Sequence, residues 1–316
     1  MSQALSDRDA RLAALFRSQR ARLWGLAYRL TGNGEDAEDV VQEVFTRLVT
    51  EAPKTPLEQL GPWLARVATN LGIDALRQRR RRAYVGPWLP SPIEIGDEGP
   101  LDAQADDARD PEARYSLTES ATYAFLVALE ALGPRQRAVL LLRDVLGYSA
   151  EETGDLVGAS AGNVRLLHLR ARRALEGYDK NRCVPTPELK EQHRLALQRL
   201  LECLVSQDAR GLEAILAESV RTVTDAGGEY TALATPLAGR ARVARLYLVA
   251  ALQRRSAGVH MEIRLANGLP AAFITLDQPV RRQAPRSLLR CELDDCGRIR
   301  LIHTILAPRK LASLRM

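Results

Sequence analysis

Residues 149–178 read SAEETGDLVGASAGNVRLLHLRARRALEGY, and their order decides how this end of the chain folds. A short acidic run is followed by a glycine-containing turn and then by a longer basic run, the form of a helix-turn-helix. Ser149 is placed to cap the first helix, Gly158 to end it and Ser160 to cap the second. On the second helix Val164, Leu167, Ala171 and Leu175 share one side, which leaves Arg165, Leu166, Leu169, Arg170 and Arg173 facing away. An outward basic face can enter a major groove, where guanidinium groups pair with guanine or neutralise phosphate. The alternative, a solvated helix face, is the commoner fate of an isolated basic helix. Agreement of three caps with the helix pattern favours DNA.

The rest of the chain divides into two further blocks. Residues 7–82 carry helical periodicity, with Leu12, Leu15, Phe16, Leu23, Leu26, Ala27 and Leu30 repeating until TGNG at 31–34 interrupts them. A second helix follows, opened by Glu35, Asp36, Glu38 and Asp39 and carrying Val40, Val41, Val44, Phe45, Leu48 and Val49. A third, PWLARVATNLGIDALRQRRRR, begins at Pro62 and ends in clustered arginine. Residues 83–118 read as a linker, acidic from 94 to 112, and residues 119–180 as a return to helices, among them 120–132 as SATYAFLVALEAL. Beyond Pro185 a long helix (188–205) and a shorter one (208–217) precede strand-like runs: SVRTVTD, HMEIRLA, AAFITLD, SLLRCELD and RIRLIHTIL. Helices first and strands later predict an α+β third domain.

Composition limits the function classes. The chain has 316 residues, 46% hydrophobic and 27% charged, with 45 basic against 39 acidic side chains. These values describe a folded multidomain protein whose basic surface is confined to 77–82 and 165–173. Cys183, Cys203, Cys291 and Cys296 lack the spacing of a zinc site and read as reduced thiols, the last two partly buried in sheet. No metal or cofactor is expected. The start lacks the order of a signal peptide and no apolar run approaches a membrane span, so a cytoplasmic protein, monomeric when free, is expected.

The string DAEDVVQEVFTRL, then PWLARVATNLGIDALRQRRRR, then a linker, then LGPRQRAVLLLRDVLGYSAEETGDLVGASAGNVRLLHLRARRAL resembles bacterial sigma factors of the extracytoplasmic-function (ECF) type over residues 10–178. The resemblance implies a promoter-specificity subunit, not an enzyme, with core RNA polymerase and promoter DNA as partners. It places Asp39, Gln42, Glu43 and Phe45 at or under the contact with core polymerase. Arg66 and Asn70 fall where the family holds the flipped base of the −10 element, and Arg77, Arg79 and Arg80 where it grips phosphate. Arg165, Leu166, Leu169, Arg170 and Arg173 fall on the −35 reader, although Leu166 stands where a polar residue is common.

Residues 187–312 resemble the SnoaL-like extension, a cone of the nuclear-transport-factor-2 superfamily, that a SigJ-like subgroup carries. TDAGGEY at 224–230 stands near the subgroup's DGGGK and LAPRKL at 306–311 near its NPDKL, which singles out Asp225, Gly227, Gly228, Pro308, Lys310 and Leu311 as interdomain or regulatory residues. Ala226, Glu229, Ala307 and Arg309 depart from those motifs, and the last exchanges an acidic corner for a basic one. In the linker, GPWLPSPI at 86–93 stands close to the subgroup's WLPEP, with Ser91 in the acidic position. Trp88, Leu89 and Pro90 therefore predict a docking strip, whose apolar area and stiff prolines a free tether would not need. The extension is expected to modulate activity in place of a separate anti-sigma protein.

Two competing readings remain at this point: a conventional DNA-binding regulator with a ligand-sensing cone, and an isomerase or cyclase using Asp225, His193, His260 or His303. A small unidentified ligand in an apolar cone is the more economical use of such a fold.

Overall fold

The computed structural model describes residues 2–51, 60–82, 84–94, 114–312 and 314, and resolves into two compact units. The first unit comprises residues up to 82 together with 95–183, and the second comprises 83–94 together with 184–316.

In the first unit, α1 (Ser2–Thr31), α2 (Gly34–Glu51) and α3 (Gly61–Arg81) pack around Leu23, Tyr28, Leu30, Val41, Leu64 and Ile73. Gly32 ends α1 with φ of +68°, and the Asn33 carboxamide accepts a hydrogen bond from the Glu35 amide at the start of α2. Gly72 marks where α1 and α3 approach most closely, because a Cβ there would stand 2.9 Å from a Leu30 methyl carbon. The apolar stripe expected on α2 is narrower than its sequence implies: Val49 is exposed, and Phe45 is half-buried against the Phe16 ring at 4.8 Å.

The helix expected over 120–132 is instead broken into α4 (Leu117–Ser120), α5 (Tyr123–Ala128) and a 3-10 turn at Leu129–Ala131. Thr122 is the cause, since its hydroxyl accepts from the Phe125 amide and starts a new helix at a point where the apolar pattern runs on. Helix structure thus begins inside the stretch read as linker, with Ser116 capping α4. Then follow α6 (Pro134–Asp144), α7 (Ala150–Val157), α8 (Ala161–Ala174) and α9 (Glu176–Lys180). Ser149 and Glu152 form a reciprocal capping box, Gly158 ends α7 at φ of +65°, and the Ser160 hydroxyl accepts from the Asn163 amide. Gly154 sets the tight α7–α8 turn, where any Cβ would fall 2.5 Å from the Ala159 carbonyl oxygen.

The second unit opens with α10 (Pro187–Ser206) and α11 (Ala209–Ile215), capped by Thr186 and Asp208. Six strands follow, β1 (Leu216–Asp225), β2 (Leu237–Ala238), β3 (Val259–Ala266), β4 (Leu269–Leu276), β5 (Arg286–Leu293) and β6 (Ile299–Ile305), with α12 (Arg240–Arg254) between β2 and β3 and α13 (Pro308–Leu311) at the end. The strand order is β2-β1-β6-β5-β4-β3. Only β1 and β6 run parallel; the other pairs are antiparallel, so the sheet is mixed. Asn267 and Gly268, both at positive φ, turn the β3–β4 hairpin. Leu197, Leu200, Leu212, Val243, Cys291 and Ile302 share the core between helices and sheet. This is an α+β domain, as helices first and strands later predict. The helix α12 was not foreseen, because its buried side, Val243, Ala244 and Tyr247, is interrupted by four arginines within the same run.

Among the described residues none of the four cysteines forms a disulfide. Cys291 is buried in β5, where burial pushes its thiol up to about 12, but Cys296 is exposed in the turn after β5 instead of sharing the sheet.

Candidate nucleic-acid interface and linker dock

The helix α8 is held from behind. Asp144, at the end of α6 and buried, accepts hydrogen bonds from His168 at 2.8 Å and from the Nη2 and Nε of Arg172 at 2.7 and 3.0 Å. Burial works against that carboxylate, yet the bonds and charges of His168 and Arg172 together hold it below the ordinary aspartate value. Val164, Ala171 and Leu175 complete the buried side. On the opposite side Arg165, Leu166, Leu169, Arg170 and Arg173 are all exposed, and Arg165 pairs with Glu151 of α7 at 2.7 Å. Five side chains expected to face a groove therefore share one open surface.

The basic end of α3 is arranged differently. Arg79 donates to the Thr31 carbonyl at 2.7 Å and to Glu130 at 2.6 Å, and Arg80 donates to the Leu132 carbonyl. Glu130 also takes a bond from Arg137 at 2.6 Å. The Arg137 guanidinium is fully buried, donates to the carbonyls of Leu30 and Leu129, and has its pKa lowered to about 10 by burial. Asn70 donates to the Arg66 carbonyl at 2.9 Å within α3 and to the Leu156 carbonyl of α7 at 3.3 Å. Arg66 is exposed, and Arg77 is exposed beside Asp74 at 2.8 Å. On α2, Asp39 and Gln42 are exposed, while Glu43 is half-buried and pairs with Arg47 at 2.7 Å. Glu130 and Leu132 were missed as partners because nothing local in the sequence ties them to residues some 50 positions earlier.

In the second unit, residues 84–94 lie on the domain as a strap. Leu89, Pro90, Ser91, Pro92 and Ile93 are buried and Trp88 is half-buried. The anchor is Asp225, fully buried at the end of β1, which accepts from the Tyr84 hydroxyl at 2.5 Å, the Leu89 amide at 2.7 Å and the Lys310 ammonium at 2.5 Å. Lys310, also buried, donates to the Leu89 carbonyl and sits 4.2 Å from the Trp88 ring centre and 4.9 Å from that of Tyr84. Further along, the Ile93 amide donates to the Asn267 side chain and Glu94 pairs with Arg264 at 2.9 Å. Gly227 and Gly228 take φ of +59° and +81°, and a Cβ on Gly228 would meet Val85 at 3.0 Å. Leu311 is buried and Pro308 opens α13. One expectation changes here: Lys310 is the buried counter-ion of Asp225 and adds nothing to a basic surface corner. Residues 95–113, which hold all of the acidic stretch 94–112 but Glu94, lie outside the described residues. Tyr84 and Asn267 were not singled out in the sequence; the run YVGPWLPSP signals a dock but not its polar partners.

Against catalysis stands the dispersal of its candidates. Asp225 is locked to Lys310, and His260 is exposed beside Asp277 at 3.0 Å. Burial, with Arg290 nearby, lowers His193 to about 4 and His303 to about 3, and none of these four residues stands in the walls of the domain's two cavities of about 570 and 410 Å³. Among the described residues no cluster of potential metal ligands exists and no helix is long and apolar enough to cross a membrane.

Sigma-70 region 2 matches residues 15–82, and Sigma-70 region 4 matches residues 123–175. The ECF RNA polymerase sigma factor SigJ of Mycobacterium tuberculosis is 30% identical over 262 residues, 82% of this chain and 79% of its own. The chain belongs to the ECF RNA polymerase sigma factors. The sigma factor SigG of the same species is 40% identical over 171 residues, covering 50% of this sigma factor and 45% of SigG. The crystal structure of SigJ matches 95% of this chain and 98% of its own with a TM-score of 0.69 at 26% identity, so the likeness extends through the third domain. As a sigma factor the protein acts with core RNA polymerase and promoter DNA in transcription initiation and is not an enzyme.

Proposed function

We propose that the third domain governs this sigma factor by holding the linker between its two promoter-binding modules, taking the part a separate anti-sigma protein would play. The observation that carries the reading is the strap: residues 84–94, which in sequence join region 2 to region 4, are seated on the SnoaL-like domain by a buried Asp225–Lys310 pair. A linker fixed at Leu89 has less freedom to let the modules reach two promoter elements at their required spacing. In this reading Arg66, Asn70, Arg77, Arg79 and Arg80 serve the −10 element, Arg165, Leu166, Leu169, Arg170 and Arg173 the −35 element, and Asp39, Gln42, Glu43 and Phe45 core polymerase. Arg79 and Arg80 then exchange Glu130 and the Leu132 carbonyl for phosphate when promoter is engaged.

The test is run-off transcription with purified core polymerase, comparing the full chain with residues 1–185 and with Asp225→Ala. Asp225→Ala leaves the Lys310 ammonium buried without its carboxylate, which costs about 3 kcal/mol of strap and domain stability. Promoter output is expected to change in the same direction for truncation and substitution. Equal output and equal core affinity for all three chains would reject the reading.

A further inference from the structure

The SnoaL-like domain contains a chamber that neither promoter recognition nor the strap uses. It has two adjoining lobes, of about 570 and 410 Å³, that share Tyr247, Ala250, Arg254 and Thr304 in their walls. The smaller lobe is apolar, walled by Leu201, Leu204, Val259, Met261, Ile274 and Leu289 from α10, β3, β4 and β5. The larger lobe carries Arg254, Arg281 and Arg282, with Gln253 and Gln283 beside them. Among the described residues no aspartate or glutamate stands in the wall of either lobe.

That imbalance has chemical content. Arg254 sits at the junction of the lobes, at the last residue of α12, and is half-buried. Among the described residues no carboxylate pairs with its guanidinium, and burial lowers its pKa. A guanidinium withdrawn from water without a counter-charge is unfavourable, and an anion supplied from outside relieves the cost. Arg282 holds a φ of +70°, a left-handed conformation that a non-glycine residue seldom adopts, at the mouth of the same lobe. The Tyr247 hydroxyl at the junction is already engaged, bonded to Thr222 at 2.8 Å and to Thr304 at 2.9 Å.

We propose that this chamber binds an anionic amphiphile, a carboxylate head on Arg254 with Arg281 and Arg282 at the mouth and an acyl chain in the lobe walled by Leu204, Ile274 and Leu289. The volumes admit a chain of about ten carbons. With no aspartate, glutamate or histidine among the described wall residues and the Tyr247 hydroxyl engaged by Thr222 and Thr304, the ligand is held and not turned over. The chamber also lies one residue from the strap's anchor. Thr224 lines the larger lobe and Asp225, next in β1, points to the opposite side of the strand toward Leu89 and Lys310. The Leu306 amide donates to the Asp225 carbonyl at 2.7 Å while its side chain lines the lobe. A ligand there is placed to act on the strap, a consequence that rests on the proposed function; the binding itself does not.

The test is calorimetric titration of the full chain, without polymerase, with decanoate, decyl phosphate, decanol and decyltrimethylammonium. Saturable binding of decanoate at one site per chain is expected, with decanol weaker by about tenfold, the worth of one charge-assisted hydrogen bond pair. Tighter binding of decyl phosphate than of decanoate would keep the anion chamber and reassign its head group to phosphate. Arg254→Gln is expected to weaken decanoate by about tenfold while leaving the exposed-surface control Arg309→Gln at full affinity. Should Arg254→Gln fail to fold, Arg281→Gln with Arg282→Gln at the exposed mouth gives a smaller loss of about threefold. Equal affinity for decanol and decanoate, binding of the ammonium amphiphile, or no binding of either anion would overturn the proposal. A chain that fails to bind leaves the strap reading intact, and transcription unaffected by Asp225→Ala leaves the chamber intact.

Discussion

The helices α3 and α8 both end in arginine-rich turns, and they use those arginines in opposite ways. In α8 the outward guanidiniums are exposed, Arg165 beside the equally exposed Glu151, while Arg172 turns back to the buried Asp144. In α3 the outermost positions are no less basic, yet Arg79 and Arg80 are occupied by Glu130 and by backbone carbonyls of the neighbouring module. The lesson is that basic composition measures the capacity to bind a polyanion, whereas availability depends on what else within reach can accept five N–H donors. A carboxylate on an adjoining turn competes directly with phosphate.

The largest expected effect breaks the inward half of this comparison. Glu130→Ala removes the carboxylate shared by Arg79 and the fully buried Arg137. Leaving Arg137 without its counter-charge should cost about 3 kcal/mol in urea unfolding of the full chain. The same variant should bind single-stranded −10 oligonucleotide more tightly in a fluorescence titration, because Arg79 is released; unchanged affinity would show that Glu130 does not compete.

The anchored back of α8 is the next point of attack. Asp144→Asn keeps the shape but removes the charge facing His168 and Arg172, for an expected loss of about 2 kcal/mol. Its pH dependence has a definite sign. The folded-state pKa of Asp144 is depressed, so its contribution is fully present above the ordinary aspartate value of 3.8 and is lost as pH falls through the lower folded value. Chemical-denaturation curves of the two proteins should differ at neutral pH and converge in the acid range below pH 3.8.

The smallest expected stability effect sharpens the outward half. Arg170→Ala touches an exposed side chain and should change stability by no more than about 0.5 kcal/mol. If Arg170 meets phosphate in the promoter complex, the slope of log affinity against log salt should fall by about 1 in magnitude. A loss confined to one base position would instead make it a base reader.

Much of the fold was legible from local signals. Ser149, Gly158 and Ser160 announce the ends of α7 and α8 because caps satisfy orphan backbone groups through residues next to them in the chain. Strand-like runs rich in β-branched and apolar residues marked five strands of the third domain. The run SATYAFLVALEAL misled, since a capping hydroxyl at Thr122 outweighed continuous apolar periodicity. The helix α12 escaped because four arginines interrupt its buried side, although arginine stems can border a core while their heads point outward.

By itself the sequence determined the two helical modules, the outward face of α8, the late-strand third domain and the unusual stickiness of GPWLPSPI. Those follow from periodicity, capping and composition, which act over a few residues. Only the tertiary structure decided that Arg79 and Arg80 face carbonyls and Glu130, that Asp225 holds Leu89 and Lys310, and that Arg254 stands over an apolar chamber without a carboxylate. Each is a pairing, or a missing pairing, of charges that lie far apart along the chain, and the free energy of a charge depends on what the fold places beside it.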